Sequence, residues 1–228
     1  MEKLGVDKII LIDDGSPKPW LKKLGLAIYD VKIERMPNKV KLPKNIPENM
    51  AIFRFPENYG RPVLTVIPGW WRSFTFASLL GIRYNLDKIM HIEADCFVVS
   101  EKMFRWLKSK HETWSAPYTK RYWYAETCIQ VIPRSKFAQL FAFWEMGKEY
   151  WFKNGYSNMQ YIPELILPIE NIVKNEFYGD RWGEDWWKEE IPKNADYAAN
   201  IGAITDTAMR YTNVNNAKCQ SFFERIGL

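Results

Sequence analysis

The chain has 228 residues, 47% apolar and 26% charged, a balance that excludes both a disordered segment and a membrane bundle. Its formal net charge of +5 suits an anionic ligand such as a nucleotide. No Lys/Arg block marks a nucleic-acid face, so duplex binding is not expected. In chain order, "DKIILIDDGSP" is a short β-rich apolar run that stops at acids, Gly, Ser and Pro, the pattern of a buried strand ending in a turn. "PWLKKLG" predicts one or two helical turns closed by Gly25, and "YDVKIERM" alternates as a second strand. "PNKVKLPKNIPEN" is a Pro-punctuated loop, and "MAIFRFPENYG" a further strand and turn. "GWWRSFTFASLLGIRYN" predicts a helix with Trp70, Phe74, Ala77 and Gly81 on one side. The apolar run from Ile89 to Val99 reads as a strand carrying Glu93 and Asp95, two acids that alternation puts on one face. Ser100 then caps "EKMFRWLKSK" as a helix.

The second half is less regular. "TWSAPYTKRYWYAETCIQVIPRS" predicts one or two strands around an aromatic loop. "SKFAQLFAFWEMGKEYWFK" is an amphipathic helix expected to be capped by Ser135 and to close near Gly155. "IPELILPIENIVK" reads as helical despite Pro168, "FYGDRWGEDWWKEEIPKNADY" as a polar Trp-rich excursion, and "SFFERIGL" ends the sequence. Strands alternating with helices argue for an α/β fold with a mostly parallel central sheet flanked by helices, in one compact domain. Ligands of such sheets bind beyond the carboxyl ends of the strands, where Asp13–Asp14 and Glu93–Asp95 both stand.

Cys96, Cys128 and Cys219 are widely spaced, without C-x-x-C or companion His, and read as reduced thiols with no structural zinc. No N-terminal signal pattern, no 18-residue uncharged run and no N-x-S/T acceptor is visible, and together these absences point to a cytoplasmic location. His91 and His111 read as core and surface residues respectively. The 11 Trp, 12 Tyr and 13 Phe exceed what a core of this size absorbs, and exposed rings stack on sugar faces and on bases.

Four elements in order, "IDDGSP", "PENYG", "GWWRSFTFASLLGI" and "IEADCFVVS", resemble the GT-A nucleotide-sugar glycosyltransferases, particularly the group with a D-D-G-S turn and a D-x-D metal motif. The resemblance covers Lys8 to Ser100. It implies a GT-A-like domain whose first half, about residues 1–100, binds donor and metal, and whose second half, about 101–228, receives the acceptor. It also implies donor contacts from Asp13 or Asp14, from Asn58 and from Arg72, with Glu93, Ala94 and Asp95 as the metal motif. Glu93 and Asp95 would hold Mn²⁺ or Mg²⁺ against the diphosphate of a UDP- or GDP-sugar. Glu93 has a longer arm than the usual Asp, so Asp95 is the stronger direct ligand. The family usually has a strand and helix ahead of the D-D-G-S strand. Here a shorter sheet, a fragment of a larger enzyme or another segment must account for the difference.

An inverting transferase needs a carboxylate to take the acceptor's proton. Glu126, Glu164 and Glu184–Asp185 are the candidates, with Glu164 preferred over Asp185 by its order in the chain. The rival readings are a carbohydrate-binding or inactive scaffold protein of the same fold and a sugar-phosphate nucleotidyltransferase. The last would need a Gly-rich, Arg-bearing loop near its start, which the sequence lacks. Asp13 to Ser16 could also be an ordinary turn, since Asp, Gly and Ser favour turns. The Glu93/Asp95 pair could be held by a salt bridge to Arg72, Arg83 or a Lys.

Overall fold

A computed structural model describes residues 1–35, 39–46, 48–62, 66–153, 162–181 and 192–199. The chain is a mixed α/β protein that divides into two compact units. One contains Met1–Ile89 and Arg134–Tyr161, the other Met90–Pro133 and Ile162–Leu228. Among the described residues no helix is long and apolar enough to cross a membrane.

The first unit begins with a single 3-10 turn, followed by β1 (Ile9–Asp13), α1 (Lys18–Lys22) and β2 (Ala27–Asp30). The expected single strand "YDVKIERM" is in fact two. Val31, fully buried, separates β2 from β3 (Lys32–Arg35), and its N–H turns to the carbonyl of Arg54, 2.8 Å away. β3 pairs antiparallel with β4 (Lys39–Lys41), which lies inside the stretch expected to be a loop. β5 (Met50–Arg54) is the central strand of a three-stranded parallel sheet, with β1 and β2 on either side. Its Ala51, Ile52 and Phe53 are fully buried, as expected of the middle strand of a parallel sheet.

α2 (Pro68–Arg83) buries Trp71, Phe74, Phe76, Ala77 and Leu80 in this unit's core. The buried side includes Phe74, Ala77 and Gly81 as the sequence predicts, but Trp71 rather than Trp70 points inward. Trp71 stacks on Phe143 at 5.5 Å, while Trp70 lies over Phe74 at 4.8 Å. Phe143 belongs to α4 (Phe137–Trp151), which is kinked at Gly147. The predicted cap of α4 is corrected: Ser135 sits within a single 3-10 turn, Arg134–Lys136, and the residue at the helix start is Lys136, which makes no side-chain cap. Arg134 anchors that turn by donating to the carbonyls of Asn85 and Leu86 and to Asp87. Gly155 lies outside the described residues.

The boundary between units falls within β6 (Lys88–Ile92). The strand ends at Ile92 instead of running on to Val99. Glu93 spends its N–H on the carbonyl of Cys128 (3.0 Å), and the N–H of Cys96 returns to the carbonyl of Glu93 (3.0 Å), so residues 93–96 form a tight turn. β7 (Phe97–Val98) follows, then α3 (Glu101–Lys108), whose cap is Ser100 as predicted: its hydroxyl accepts from Met103 N at 3.0 Å.

β8 (Ser115–Thr119), β9 (Tyr124–Ala125) and β10 (Ile129–Pro133) follow. β8 is the hub of a five-stranded mixed sheet: it pairs antiparallel with β9 and β10, and β6 lies beyond β10. "IPELILPIENIVK" is helical only over α5 (Pro163–Ile166). Leu167, the residue before Pro168, is extended (φ −64°, ψ 134°), the conformation that a following proline imposes. The remainder forms β11 (Asn171–Val173), parallel to β8. β12 (Gly179–Arg181), within the expected excursion, is parallel to β13 (Tyr197–Ala199), which runs antiparallel to β7. The mainly parallel arrangement expected from the sequence thus holds in the three-stranded sheet, and the larger sheet is mixed.

Candidate functional site

The predicted residues fall into two clusters, one in each unit. In the first unit, β1 ends at Asp13, whose Oδ2 accepts the backbone N–H groups of Gly15 (3.0 Å) and Ser16 (2.8 Å). That carboxylate shapes the turn, as Asp does when it bonds its own backbone two or three residues on. Gly15 has φ +94°, and a Cβ there would lie 2.6 Å from the backbone N of Asn58. Only a glycine lets the D-D-G-S turn touch the loop after β5 this closely. Asn58 itself is exposed.

Asp14 is the knot of this cluster. Its Oδ2 accepts from Tyr59 N (3.0 Å) and Gly60 N (2.7 Å), and its Oδ1 is ion-paired with Arg72. Arg72 is only 2% exposed and donates also to the carbonyl of Glu57 at 2.5 Å. Its guanidinium lies 4.1 Å from the ring centre of Phe55 and 3.7 Å from that of Tyr59. A Cβ on Gly69, in the first turn of α2, would run into the Asp14 carboxylate, so the helix start and the D-D-G-S turn meet there. Burial raises the Asp14 pKa above the usual carboxylate value, outweighing the pull of Arg72 and the two N–H groups. The structure therefore brings Asp14 and Arg72 together as an ion pair through Nη2, while the buried Nε of Arg72 has no hydrogen-bond partner among the described residues.

In the second unit the acids gather around one arginine that sequence reasoning missed. Glu126, fully buried, accepts from Thr119 Oγ1 (2.9 Å) and from Cys128 N (3.0 Å). Its remaining capacity is taken by Arg181, whose Nε and Nη2 reach it at 2.9–3.2 Å in the fork geometry of a bidentate pair. Arg181 Nη2 also donates to Glu164 Oε1 at 2.8 Å, and Glu164 Oε1 accepts from Thr127 Oγ1 at 3.2 Å. Burial opposes the Arg181 charge, but the carboxylates of Glu126 and Glu164 more than offset it and hold its pKa well above the usual value. Tyr122 and Tyr124, stacked on each other at 5.4 Å, sit 5.8 and 5.4 Å from its guanidinium. Nothing local in "YGDRWGED" marks Arg181, because its partner Glu126 lies 55 residues away. The run "YWYAE", rich in rings and ending in the acid Glu126, was the one signal in the sequence.

Glu93 and Asp95 stand on the turn after β6. Burial and the neighbouring Glu93 push the Asp95 carboxyl up to about 7, with Arg181 pulling the other way and Glu126 adding to the rise. Ala94, between them, is exposed, and His91 Nε2 is 3.8 Å from Glu93 Oε1. Burial and the same acids keep the Cys96 and Cys128 thiols far above their normal range, so both are neutral thiols. Among the described residues no group of three or more His, Cys, Asp or Glu side chains is positioned to hold a metal ion. The donor set on the 93–96 turn is therefore two carboxylates, oxygen ligands of the kind a hard divalent cation takes, and too few for an all-protein cage. Glu184 and Asp185 lie outside the described residues. A groove of about 510 Å³ in the first unit, lined by apolar side chains with Lys41 and Arg83, includes none of the predicted residues.

Comparison with known proteins found no matching family model, no matching curated protein and no matching solved structure.

Proposed function

We propose that the chain is a metal-dependent glycosyltransferase of the GT-A type, moving a sugar from a nucleoside-diphosphate sugar to a hydroxyl of a glycan or similar acceptor. The observation that carries this reading is the pair Glu93 and Asp95 on one tight turn directly after β6, with Asp95 protonated up to about pH 7. Two acids crowded in this way are expensive for an isolated protein and are relieved by a divalent cation. When bound, the cation offsets the charge of the departing nucleoside diphosphate. Asp95 would bind the ion only as a carboxylate, so metal binding would release protons to solvent near neutral pH.

Glu164 is the carboxylate assigned to an inverting transfer, in which it takes the acceptor hydroxyl's proton. Thr127 and Arg181 hold it in one orientation, and Arg181 is itself fixed by Glu126. In the first unit, the D-D-G-S turn and Asn58 supply the polar groups expected to meet the nucleoside.

The test is release of sugar from a panel of UDP- and GDP-sugars by the purified chain, with Mn²⁺ and with EDTA. At least one donor is expected to be hydrolysed only with Mn²⁺, and Asp95→Ala should lower that rate by at least a hundredfold. Turnover by Asp95→Ala equal to that of the parent, or no hydrolysis of any donor by the parent, overturns the reading.

A further inference from the structure

Trp123 stands at the tip of the hairpin joining β8 to β9, and two features of it conflict with ordinary stability. Its side chain is 80% exposed, and its backbone is left-handed, with φ 62°. A bulky residue in that region is strained by about 1–3 kcal/mol, and Gly or Asn would fit there without that cost. Exposing an indole forgoes the burial that makes Trp favourable in a fold. Trp20 is also exposed, at 66%, but it lies in α1 and carries no such strain.

The tip is nonetheless firmly held. Trp123 N donates to Thr119 O at 2.9 Å, and Thr119 pairs with Tyr124 and Tyr118 with Ala125 across the hairpin. The Thr119 hydroxyl is bound to the buried Glu126. Tyr122 and Tyr124, on either side of Trp123, stack on each other at an interplanar angle of 9° and lie near Arg181. The flanking rings thus face inward to the charged cluster, and one indole is left pointing out on a rigid mount. Among the described residues no other ring packs on it.

We infer that Trp123 is a stacking platform for the C–H face of a pyranose ring. A single rigid indole matches one sugar ring in size, and it is too small a patch for a protein interface or for membrane anchoring, which need broader apolar area. The exposed Lys120 and the half-buried Arg121, which lies 3.7 Å from Asp180, belong to the same hairpin tip and are the nearest basic residues along the chain. The hairpin is tied through Thr119 and Tyr124 to the cluster that holds Glu164, and on the transferase reading a saccharide bound at its tip is an acceptor. The word acceptor rests on the transferase reading; saccharide binding does not.

The experiment labels the full chain with ¹⁵N at its tryptophan indoles and titrates it, without nucleotide, with cellohexaose, maltohexaose and N-acetylchitohexaose. The Trp123 indole signal is the one that disappears in Trp123→Asn. Relief of backbone strain should leave that variant folded, with a Tm equal to or above that of the parent. A saturable shift of the Trp123 signal with at least one hexasaccharide, and affinity at least tenfold weaker in Trp123→Asn, is the expected result. No shift with any of the three, or equal affinity in the variant, overturns the inference. A response to phosphatidylglycerol vesicles alone also overturns it, in favour of a membrane contact. Donor hydrolysis by the parent reports separately on the transferase reading, so either can fail without the other.

Discussion

Asp95 holds a proton at pH values where an exposed aspartate has lost it, because burial and Glu93 both penalise the charge. Its carboxyl ionises near 3.8 in the open chain and at about 7 in the fold. Well below pH 3.8 both states are protonated and the group is neutral towards stability. As pH rises from there, the unfolded chain loses its proton first, so stability falls until the folded carboxyl also ionises, and the full penalty stands above pH 7. Asp95→Asn removes that penalty. Its Tm should match the parent near pH 2.5 and exceed it by roughly 10 °C near pH 8, because the rise from 3.8 to about 7 corresponds to ~4 kcal/mol, at about 2–4 °C per kcal/mol for a chain of this length. An offset that does not change with pH would mean that Asp95 ionises normally. Glu126 differs in its surroundings, since its side-chain oxygens accept from Arg181, Thr119 and the backbone N–H of Cys128.

Helix boundaries test the reading at the level of elements. Ser100 and Ser135 look alike in the sequence, each preceding an amphipathic run. Only Ser100 makes the capping bond, because Ser135 is drawn into the 3-10 turn that Arg134 pins to residues 85–87. Ser100→Ala should therefore lower stability by about 1 kcal/mol, and Ser135→Ala by less than about 0.5 kcal/mol. Denaturant melts of the two variants check this, and equal losses would contradict the assigned boundary. The Glu93–Asp95 pair shows the same kind of outcome. Alternation predicted both acids on one strand face, whereas the hydrogen bonds of Glu93 and Cys96 end the strand and put the acids on a turn.

At the scale of the whole molecule the proposal makes a linkage prediction. Two carboxylates leave most of a cation's coordination to water and phosphate, so Mn²⁺ and nucleoside diphosphate should bind together or weakly. Either alone should shift the Tm of the chain little. Together, at about a hundred times the dissociation constant, they should stabilise it by about 2.7 kcal/mol, or roughly 5–10 °C. An equal shift by nucleotide in EDTA would argue against a bridging cation. The net charge of +5 favours the anion in either case.

Legible in the order of residues is what depends on neighbours along the chain: the strand ending at Asp13, the D-D-G-S turn, the Ser100 cap, helix α2 and the combination of strands with helices. Alternation, helical periodicity and short-range hydrogen bonds act over a few residues, and so they are legible there. Tertiary structure alone decided the partners. Arg72 is consumed by Asp14, 58 residues away, and Arg181 unites Glu126 with Glu164 across separations of 55 and 17 residues. Which buried charge meets which is set by how strands pair and what they exclude from water, and Trp123 is left outside for the same reason: the hairpin turns its two neighbours inward.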